Sequence, residues 1–330
     1  MKKTLTALGL VAVAALALAG CSDSAATPAN TSSGSADAGG GELRDVRVAA
    51  LPIAESGALW AAIDAGIFEE HGLAVEVVPA QGGAQAIPAL LSGDIDFAIG
   101  QPMGPIRADL QDLGVVIFGN YASSLASGDD VNSVVALADS GIASPADLAG
   151  KRVSVNSIGA AGDLTIRKAV DDAGGDSSTI EFIEVAFPDV QAQLEAGNID
   201  AGWVPDPFRG LIVSGGGVDV VSPYQATIPG LTVLTNFTTQ EKMDSDPELV
   251  ADYAAAMKEA LEYATQNEDA VRAAIASNLE IPEAAAAAIT LPNFTFDLGD
   301  AGIEDLGALA VEYGYIDAEP DFATLIQPQQ

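Results

Sequence analysis

Cys21 is the residue whose surroundings most clearly specify a chemical modification. It is the only cysteine of the chain, and it follows a Leu-Ala-Gly tripeptide, an uncharged apolar stretch at positions 5–18 and two lysines near the start. This order predicts a secretory signal peptide over residues 1–20, after whose cleavage Cys21 carries lipid such as palmitate. The apolar stretch is too short for a permanent membrane-spanning helix. An ordinary thiol behind a non-lipoprotein signal is the alternative.

Residues needed for common catalytic chemistry are scarce. His71 is the single histidine and is expected on the surface, in a turn after the first helix. Because histidine and cysteine do not cluster, we expect neither a transition-metal site nor a cofactor. A serine activated by histidine is expected only if His71 lies within reach of a serine side chain. Carboxylates are numerous, but in so acidic a chain their spacing says nothing about acid–base catalysis. No catalytic residue is assigned, and the chain is predicted not to be an enzyme.

The charge balance restricts the class of partner. The chain has 47 acidic and 13 basic residues, and its formal net charge is −34. Nucleic acid and anionic lipid headgroups would be repelled. The acids are spread along the chain, which favours a solubilising surface over an acidic functional patch.

The region from 21 to 44 is predicted to be a lipidated flexible tether. Up to position 41 it consists mainly of Ser, Ala, Thr, Gly, Asn and Asp, and such a segment buries too little apolar surface to become ordered. One cysteine cannot form an intramolecular disulfide. The nearly 290 remaining residues must therefore fold by burying apolar surface, which such a length permits, as two domains.

These residues alternate short β-branched runs with amphipathic stretches, which predicts α/β layers with largely parallel sheets. Proline with acidic residues at 144–147 and 246–248 is typical of helix starts. Residues 47–53 are similar to 152–158, and 90–96 to 194–200, in the same order and at nearly the same spacing. Two equivalent modules would place their ligand-binding loops at the carboxyl ends of strands, along one cleft. Chance similarity of two βα units is the alternative.

Two loops of the first module carry candidate ligand contacts. Ser56 follows the first predicted strand and either meets a ligand or caps the next helix. Gln81 and Gly82 follow the second strand, where glycine allows close backbone approach and the amide offers a donor and an acceptor. A plain turn is the alternative for this pair.

Four segments, in this order and spacing, resemble the substrate-binding proteins of ABC transporters for nitrate, sulfonates, taurine and thiamine precursors. The resemblance runs from about 46 to 262, and each segment alone is weakly specific. The four segments are Ala-Gly-Ile-Phe-Glu-Glu-His-Gly-Leu at 65–73, Ala-Leu-Leu-Ser-Gly-Asp-Ile-Asp at 89–96, Asp-Leu-Ala-Gly-Lys-Arg-Val at 147–153 and Gly-Asn-Ile-Asp-Ala-Gly-Trp-Val-Pro-Asp-Pro-Phe at 197–208.

The resemblance implies a periplasmic-binding-protein-like fold of type II, with two βα lobes, two hinge strands and a ligand cleft between the lobes. Lobe I would comprise 45–132 and 236–330, and lobe II would comprise 133–235 with a hinge strand at each end. Ligand contacts from both lobes would favour a closed state.

The resemblance also implies cleft residues at the ends of equivalent strands. Gln101 follows the third strand of lobe I, and Trp203 with Asp206 ends the matching strand of lobe II, where the family usually has glutamate in place of Asp206. Trp203 either stacks on a flat ligand or belongs to the core. The loop of lobe II that contains Asn156, Gly162 and Asp163 connects a strand to a helix, and Asp163 either caps that helix or meets a donor of the ligand.

The ligand expected from these residues is neutral, zwitterionic or cationic. Asp163 would repel an anion in a partly desolvated cleft, and Arg209 is the only basic residue in the matched loops. The predicted function is that of a monomeric lipoprotein on the outer face of the cell membrane. It would capture a sulfonate-like, taurine-like or thiamine-pyrimidine-like molecule for an ABC permease and its ATPase. A membrane sensor module, or a hydrolase with an unrecognised acid pair, is the alternative.

Overall fold

The structure is a computed structural model that describes residues 42–299 and 302–329. The predicted signal peptide, Cys21 and most of the predicted tether lie outside the described residues. Among the helices that the structure describes, none combines the length and apolar character that a membrane span requires.

Within the described residues, the strands form two sheets. The first sheet has the order β11-β4-β10-β3-β1-β2, and the second has the order β7-β6-β8-β5-β9. The strands are β1 (Arg44–Ala50), β2 (Leu73–Pro79), β3 (Phe97–Gly100), β4 (Val115–Ser123), β5 (Asn132–Leu137), β6 (Arg152–Val155), β7 (Glu181–Glu184), β8 (Ala201–Pro205), β9 (Gly217–Val221), β10 (Thr232–Thr239) and β11 (Asn293–Phe294).

Helices pack against both sheets, and the longest of them buries one face on the first sheet. The helices are α1 (Gly57–Asp64), α2 (Ile67–Glu70), α3 (Gly83–Ser92), α4 (Met103–Asp109), α5 (Ala161–Asp172), α6 (Val190–Glu195), α7 (Phe208–Ser214), α8 (Pro223–Thr227), α9 (Gln240–Ser245), α10 (Pro247–Gln266), α11 (Glu268–Asn278), α12 (Glu283–Ala287), α13 (Ile303–Glu312) and α14 (Phe322–Leu325).

The two sheets repeat one arrangement. In the first, β1 lies between the parallel strands β2 and β3, and the antiparallel β10 follows β3. In the second, β6 lies between the parallel strands β7 and β8, and the antiparallel β5 follows β8. We call each sheet with its helices a lobe. The predicted two-lobed α/β fold is confirmed. The expectation of largely parallel sheets is wrong, because β10 and β5 run antiparallel to their neighbours and both sheets are mixed.

The repeated sequence segments explain this equivalence locally. The carboxylate of Asp96 accepts the backbone N–H of Arg47 at 2.9 Å, and Asp200 accepts that of Arg152 at 2.9 Å. In each lobe the aspartate at the end of one segment binds the backbone of the strand formed by the other. The similarity of the two segment pairs thus corresponds to the same contact made twice.

The two predicted helix starts have different outcomes. Pro247 begins the 20-residue helix α10, and the carboxylate of Asp246 accepts the N–H of Leu249 at 3.1 Å. The start at 144–147 leads only to a short 3-10 turn, Pro145–Leu148. Gly150 follows with φ +73° and turns the chain into β6, which leaves no length for a helix.

The chain passes between the lobes twice. It leaves the first sheet after β4 and enters the second with β5, through residues 124–131. It returns between α8 and β10, through residues 228–231. The expected hinge strands β5 and β10 are thus each paired inside a sheet, and from Thr232 onward β10 pairs with β4 of the first lobe. The connecting segments next to these strands are the short stretches that link the lobes.

Candidate functional site

Loops at the carboxyl ends of the strands of both lobes meet directly. We call this region the junction; it comprises 51–57, 80–83 and 100–102 of the first lobe and 156–163 and 204–209 of the second. Three hydrogen bonds cross the junction. The N–H of Ala54 donates to the carbonyl of Asp206 at 3.1 Å. Nδ2 of Asn156 donates to the carbonyl of Gln81 at 2.9 Å, and the N–H of Ala161 donates to Oε1 of Gln101 at 3.3 Å. The sequence-predicted residues of the two lobes are therefore brought together.

Ser56 lies in the junction, but its hydroxyl is occupied. The side chain is fully buried and donates to the carbonyl of Leu51 at 2.6 Å. It makes no hydrogen bond to the first turn of α1, which begins at Gly57. The hydroxyl thus holds the loop in shape, and the expected helix cap is absent.

The preceding residue, Glu55, is a buried acid that sequence reasoning did not single out. Its side chain is 4% exposed, and Oε2 has no hydrogen-bond partner among the described residues. Burial raises the pKa of this carboxyl to about 8, and the negative charges of Asp206 and Asp130 add to the effect. Its own carbonyl accepts the hydroxyl of Tyr121 at 3.0 Å, which fixes the backbone at this position.

Gln81 and Gly82 contact the second lobe through the backbone. Gln81 is exposed, and its carbonyl, not its amide, accepts the hydrogen bond from Asn156. A Cβ on Gly82 would lie 3.6 Å from Nδ2 of Asn156, which is an ordinary contact. The loop is thus the surface of the first lobe against which Asn156 docks.

Asn156 and Asp163 have different roles in the loop of the second lobe. Oδ1 of Asn156 is buried without a hydrogen-bond partner among the described residues, and it remains free to accept one. The carboxylate of Asp163 accepts the backbone N–H groups of Gly159 and Ala160, both at 2.8 Å, and the hydroxyl of Tyr315 at 2.7 Å. Burial raises the pKa of Asp163. Of its two predicted roles, Asp163 performs that of the helix cap.

Trp203 packs in the second lobe directly under the junction. Its Nε1 donates to Oδ1 of Asn132 at 2.9 Å, and its ring meets the ring of Tyr224 edge to face with centroids 5.5 Å apart. A Cβ on Gly162 would come within 3.0 Å of the indole. Gly162 therefore allows α5 to lie against this ring.

Asp206 is buried where β8 ends, and its pKa is raised by this burial. Oδ1 accepts the N–H of Gly210 at 3.0 Å, and Oδ2 lies 4.0 Å from Nη1 of Arg209. The guanidinium of Arg209 is bound on its other edge by both carboxylate oxygens of Asp219, at 2.8 Å each. The basic residue beside the predicted site is thus already paired with two acids.

Tyr224 of α8, whose ring packs on Trp203, is a second buried polar group that sequence reasoning missed. Its side chain is 1% exposed, and its hydroxyl has no hydrogen-bond partner among the described residues. Burial raises its pKa well above the usual value, and the charges of Glu55, Asp130 and Asp163 add to the shift. One buried polar atom from each lobe, on Glu55 and on Tyr224, is therefore without a hydrogen-bond partner among the described residues.

A family model described as NMT1/THI5 like matches residues 54–271, more than half of the chain. This chain belongs to the NMT1/THI5-like family. The family resemblance drawn from the four sequence segments is thereby confirmed. The matched range begins at Ala54, in the first junction loop, and includes every junction residue after it.

The curated relatives of this family member are named as binding proteins. The formylaminopyrimidine-binding protein of Halalkalibacterium halodurans is 26% identical over 214 residues, which cover 64% of this chain and 63% of that protein. A putative binding protein of Brucella abortus is 27% identical over 212 residues, with 62% of each chain covered. The match thus spans less than two thirds of the length of these relatives.

Solved structures with the same fold include a binding protein and an enzyme. The alkanesulfonate-binding protein of Xanthomonas axonopodis pv. citri, solved bound to MOPS, is 17% identical with a TM-score of 0.73, covering 87% of this chain and 99% of that one. A desulfurization enzyme is 17% identical with a TM-score of 0.64, covering 86% and 96%. At these identities the likeness concerns the fold alone.

Three buried polar residues of this NMT1/THI5-like protein were not singled out from the sequence. The positions of Glu55 and Asp130 in the sequence could have indicated them, whereas that of Tyr224 could not. Glu55 is an acid in the loop between the first strand and the first helix, next to Ser56, and that position could have marked it. Asp130 precedes the strand β5 and accepts the N–H of Leu125 and the hydroxyl of Ser124. Nothing around Tyr224 distinguishes it from a core tyrosine.

No group of three or more His, Cys, Asp or Glu side chains in the described part of the chain is arranged to hold a metal ion. A cavity of about 1200 Å³ lies between α10 and the C-terminal residues, away from the junction. A hollow of about 730 Å³ borders the junction and is lined by Arg107, Gly159, Asp163 and Tyr315 among others. The junction itself is closed by direct contact between the lobes.

Proposed function

We propose that this protein is the extracytoplasmic solute-binding lipoprotein of an ABC importer. It captures a small organic molecule between its two lobes and delivers it to a permease driven by an ATPase. The observation that carries the proposal is the junction itself. Polar atoms of Glu55 from the first lobe and Asn156 from the second are buried there without a partner in the described residues, and a ligand held between the lobes would supply those partners.

The family supports this function and gives a first set of ligands. Both curated relatives are named as binding proteins, one of them for formylaminopyrimidine. A pyrimidine-like molecule is therefore one candidate ligand, and a sulfonate-like or taurine-like molecule is the other.

Binding without turnover is part of the proposal. Ser56 has no histidine beside it: its hydroxyl bonds a carbonyl, and His71 lies at the far surface against Glu259. A nucleophilic serine needs a neighbouring base to remove its proton, so Ser56 lacks that activation. Nuclear magnetic resonance of the ligand, released after prolonged incubation with the protein, should return it unchanged; conversion to a product would contradict this part.

Membrane attachment is proposed through Cys21. Cells fed labelled palmitate should label the wild-type protein and leave Cys21→Ser unlabelled. The wild type should also sediment with membranes, and the variant should be released. Equal labelling of the two proteins would exclude the lipid anchor.

Ligand capture is tested by thermal unfolding with a panel of pyrimidines, sulfonates, taurine, nitrate, amino acids and amines. A ligand that binds only the folded state adds about 2.7 kcal/mol at a hundredfold excess over its Kd, which shifts the melting temperature measurably. We expect one chemical class to produce such a shift. The absence of any shift across the panel would remove the support for solute capture.

A further inference from the structure

The C-terminal segment 303–329, which we call the strap, contacts both lobes. It begins with α13, which packs against α5 of the second lobe. Its last part returns to the first lobe with α14, and the N–H of Gln327 donates to the carbonyl of Ile117 in β4 at 2.8 Å. The strap therefore links the two lobes that move apart when a cleft of this kind opens.

The middle of the strap is bound to the second lobe by side chains. The hydroxyl of Tyr313 donates to Oδ2 of Asp171 at 2.8 Å. The hydroxyl of Tyr315 donates to Oδ2 of Asp163 at 2.7 Å and accepts Nε of Arg167 at 3.1 Å. All three partners lie on α5. This part of the strap is therefore expected to move with the second lobe.

Asp163 also joins the strap to the loop that precedes α5. Its carboxylate accepts the N–H groups of Gly159 and Ala160, both at 2.8 Å. One carboxylate thus fixes the position of Gly159 relative to Tyr315. We call the backbone of Gly159 and the carbonyl of Tyr315 the seat, because a side chain of the first lobe lies between them.

That side chain is Arg107, on α4 of the first lobe. Its Nη2 donates to the carbonyl of Tyr315 at 3.2 Å. Its guanidinium lies so close to Gly159 that a Cβ there would be 2.6 Å from Nη1 and 2.7 Å from Nη2. Gly159 also has φ +78°, a conformation that glycine adopts without strain. The seat therefore has room for the guanidinium only because position 159 is glycine.

The surroundings of Arg107 indicate a role in shape and not in charge pairing. The chain has 47 acidic and 13 basic residues, yet Arg107 forms no ion pair among the described residues. Its partner is a neutral carbonyl on the opposite side of the junction. A guanidinium is planar, presents rigidly placed N–H donors and is weakly hydrated for a cation, which suits it to a narrow seat between two backbones.

We propose that Arg107 is a latch that stabilises the closed arrangement of the lobes, with Gly159 and the strap forming the seat in which it is held. Opening must withdraw the guanidinium, because α4 belongs to the first lobe and the seat to the second. The strap is bound to α5 by three side-chain hydrogen bonds and to Arg107 by one, so the contact with Arg107 breaks first. The exposed residues 317–319, between the seat and α14, take up the movement.

The first test measures lobe separation by X-ray scattering of the full-length protein without added solute. Arg107→Ala should lower the ratio of closed to open molecules about fivefold, as expected for the loss of one hydrogen bond, and the radius of gyration should rise. Arg47→Ala is the matched control, because the exposed Arg47 also donates to a carbonyl, that of Asp94, but within the first lobe. An unchanged radius of gyration in Arg107→Ala would overturn the latch.

Gly159→Ala tests the seat from the second lobe. Its methyl group must displace the guanidinium of Arg107, so the lobes should open and the radius of gyration should rise. Gly93→Ala is the matched control: Gly93 has a similar φ of +75°, and a Cβ there would have no atom within 4 Å. It introduces the same backbone strain without the clash and should leave the lobes closed. Equal radii of gyration for the two glycine variants would contradict the seat.

The two substitutions in the latch should not be additive. In Arg107→Ala no guanidinium has to be displaced, so the further change Gly159→Ala should lower the melting temperature only as much as Gly93→Ala does. In the wild-type background the decrease should be clearly larger. Equal decreases in both backgrounds would show that the two residues do not interact, which would overturn the latch. If Gly159→Ala does not fold, the scattering of Arg107→Ala against Arg47→Ala decides alone.

These outcomes are independent of the proposed solute capture. No solute is added in any of the measurements, so a negative result removes the latch and leaves the binding function to its own test. A positive result would mean that closure of the lobes is controlled in part by a contact outside the ligand, between α4 and the C-terminal strap.

Discussion

The hydroxyl of Tyr315 donates to Oδ2 of Asp163 at 2.7 Å and joins the segment after α13 to the start of α5 in the second lobe. The same hydroxyl accepts Nε of Arg167 at 3.1 Å. The carbonyl of Tyr315 accepts Nη2 of Arg107, on α4 of the first lobe, at 3.2 Å. One residue near the C-terminus is thus held by both lobes, and it closes the junction on one side.

Removal of this hydroxyl should weaken the closed state. In Tyr315→Phe, Asp163 keeps its two backbone donors but loses the third, and the hydroxyl's contacts with Asp163 and Arg167 of the second lobe are lost. A hydrogen bond of this kind contributes about 1 kcal/mol, so ligand affinity should fall about fivefold. Calorimetric affinities, with X-ray scattering of the ligand-free protein to report lobe separation, measure both effects. Tyr263→Phe is the matched control, and identical affinities for the two variants would show that Tyr315 does not contribute to closure.

The hydrogen bond between Asn156 and Gln81 predicts different effects for alanine substitutions at its two ends. Because Gln81 accepts through its carbonyl, Gln81→Ala retains the hydrogen bond and should bind ligand normally. Asn156→Ala removes the donor that crosses the junction, together with the unpartnered Oδ1, and should weaken binding at least about fivefold. Titration of both variants with the same ligand compares them directly. A larger loss in Gln81→Ala than in Asn156→Ala would place the contact in the glutamine side chain instead.

The raised pKa of Glu55 predicts how stability without ligand depends on pH. The folded protein holds this proton up to about pH 8, whereas the ordinary carboxyl value of 4.5 applies to the unfolded chain. Between pH 4.5 and pH 8 the folded state binds more protons than the unfolded chain. The contribution of Glu55 to the free energy of unfolding is therefore greatest below pH 4.5 and is lost as the pH rises through 8. The slope approaches about 1.4 kcal/mol per pH unit.

Denaturant unfolding at several pH values between 5 and 8 measures this slope. Glu55→Gln should show a flatter profile and gain stability relative to the wild type as pH rises. The other shifted carboxyls are present in both proteins, so the comparison isolates Glu55. Glu241→Gln should retain the wild-type slope. Parallel profiles for the wild type and Glu55→Gln would indicate that Glu55 titrates normally.

Close packing of α3 on β3 predicts different costs for two glycines. A Cβ on Gly100 would lie 2.5 Å from the Cα of Gly83, so Gly100→Ala must move α3 away from β3, the strand that precedes Gln101. Such overpacking costs about 1–3 kcal/mol. Gly82→Ala meets only an ordinary contact at 3.6 Å and should cost less. Melting temperatures of the two variants provide the measurement, and an unaffected Gly100→Ala would mean that the helix shifts freely.

Local patterns in the sequence were sufficient for the architecture. The β-branched runs and the segments between them predicted α/β layers, because alternation and capping depend on residues a few positions apart. The cap of α10 at Asp246 and the repeated contacts of Asp96 and Asp200 follow from such short or duplicated segments. The convergence of the loops at 81, 101, 156 and 206 also followed from strand order, since parallel strands end at the same edge of a sheet.

What each side chain does in the junction was decided by the tertiary structure. Ser56 bonds its own loop, Asp163 caps a helix, and Gln81 offers a carbonyl, and none of these choices is encoded in residue type. Glu55 becomes a high-pKa acid only because the folded chain excludes water from it. Tyr315 meets Asp163 across 152 positions of sequence. The sequence by itself therefore determined the family and the two-lobed frame, whereas burial and contacts between distant segments determined the chemistry inside it.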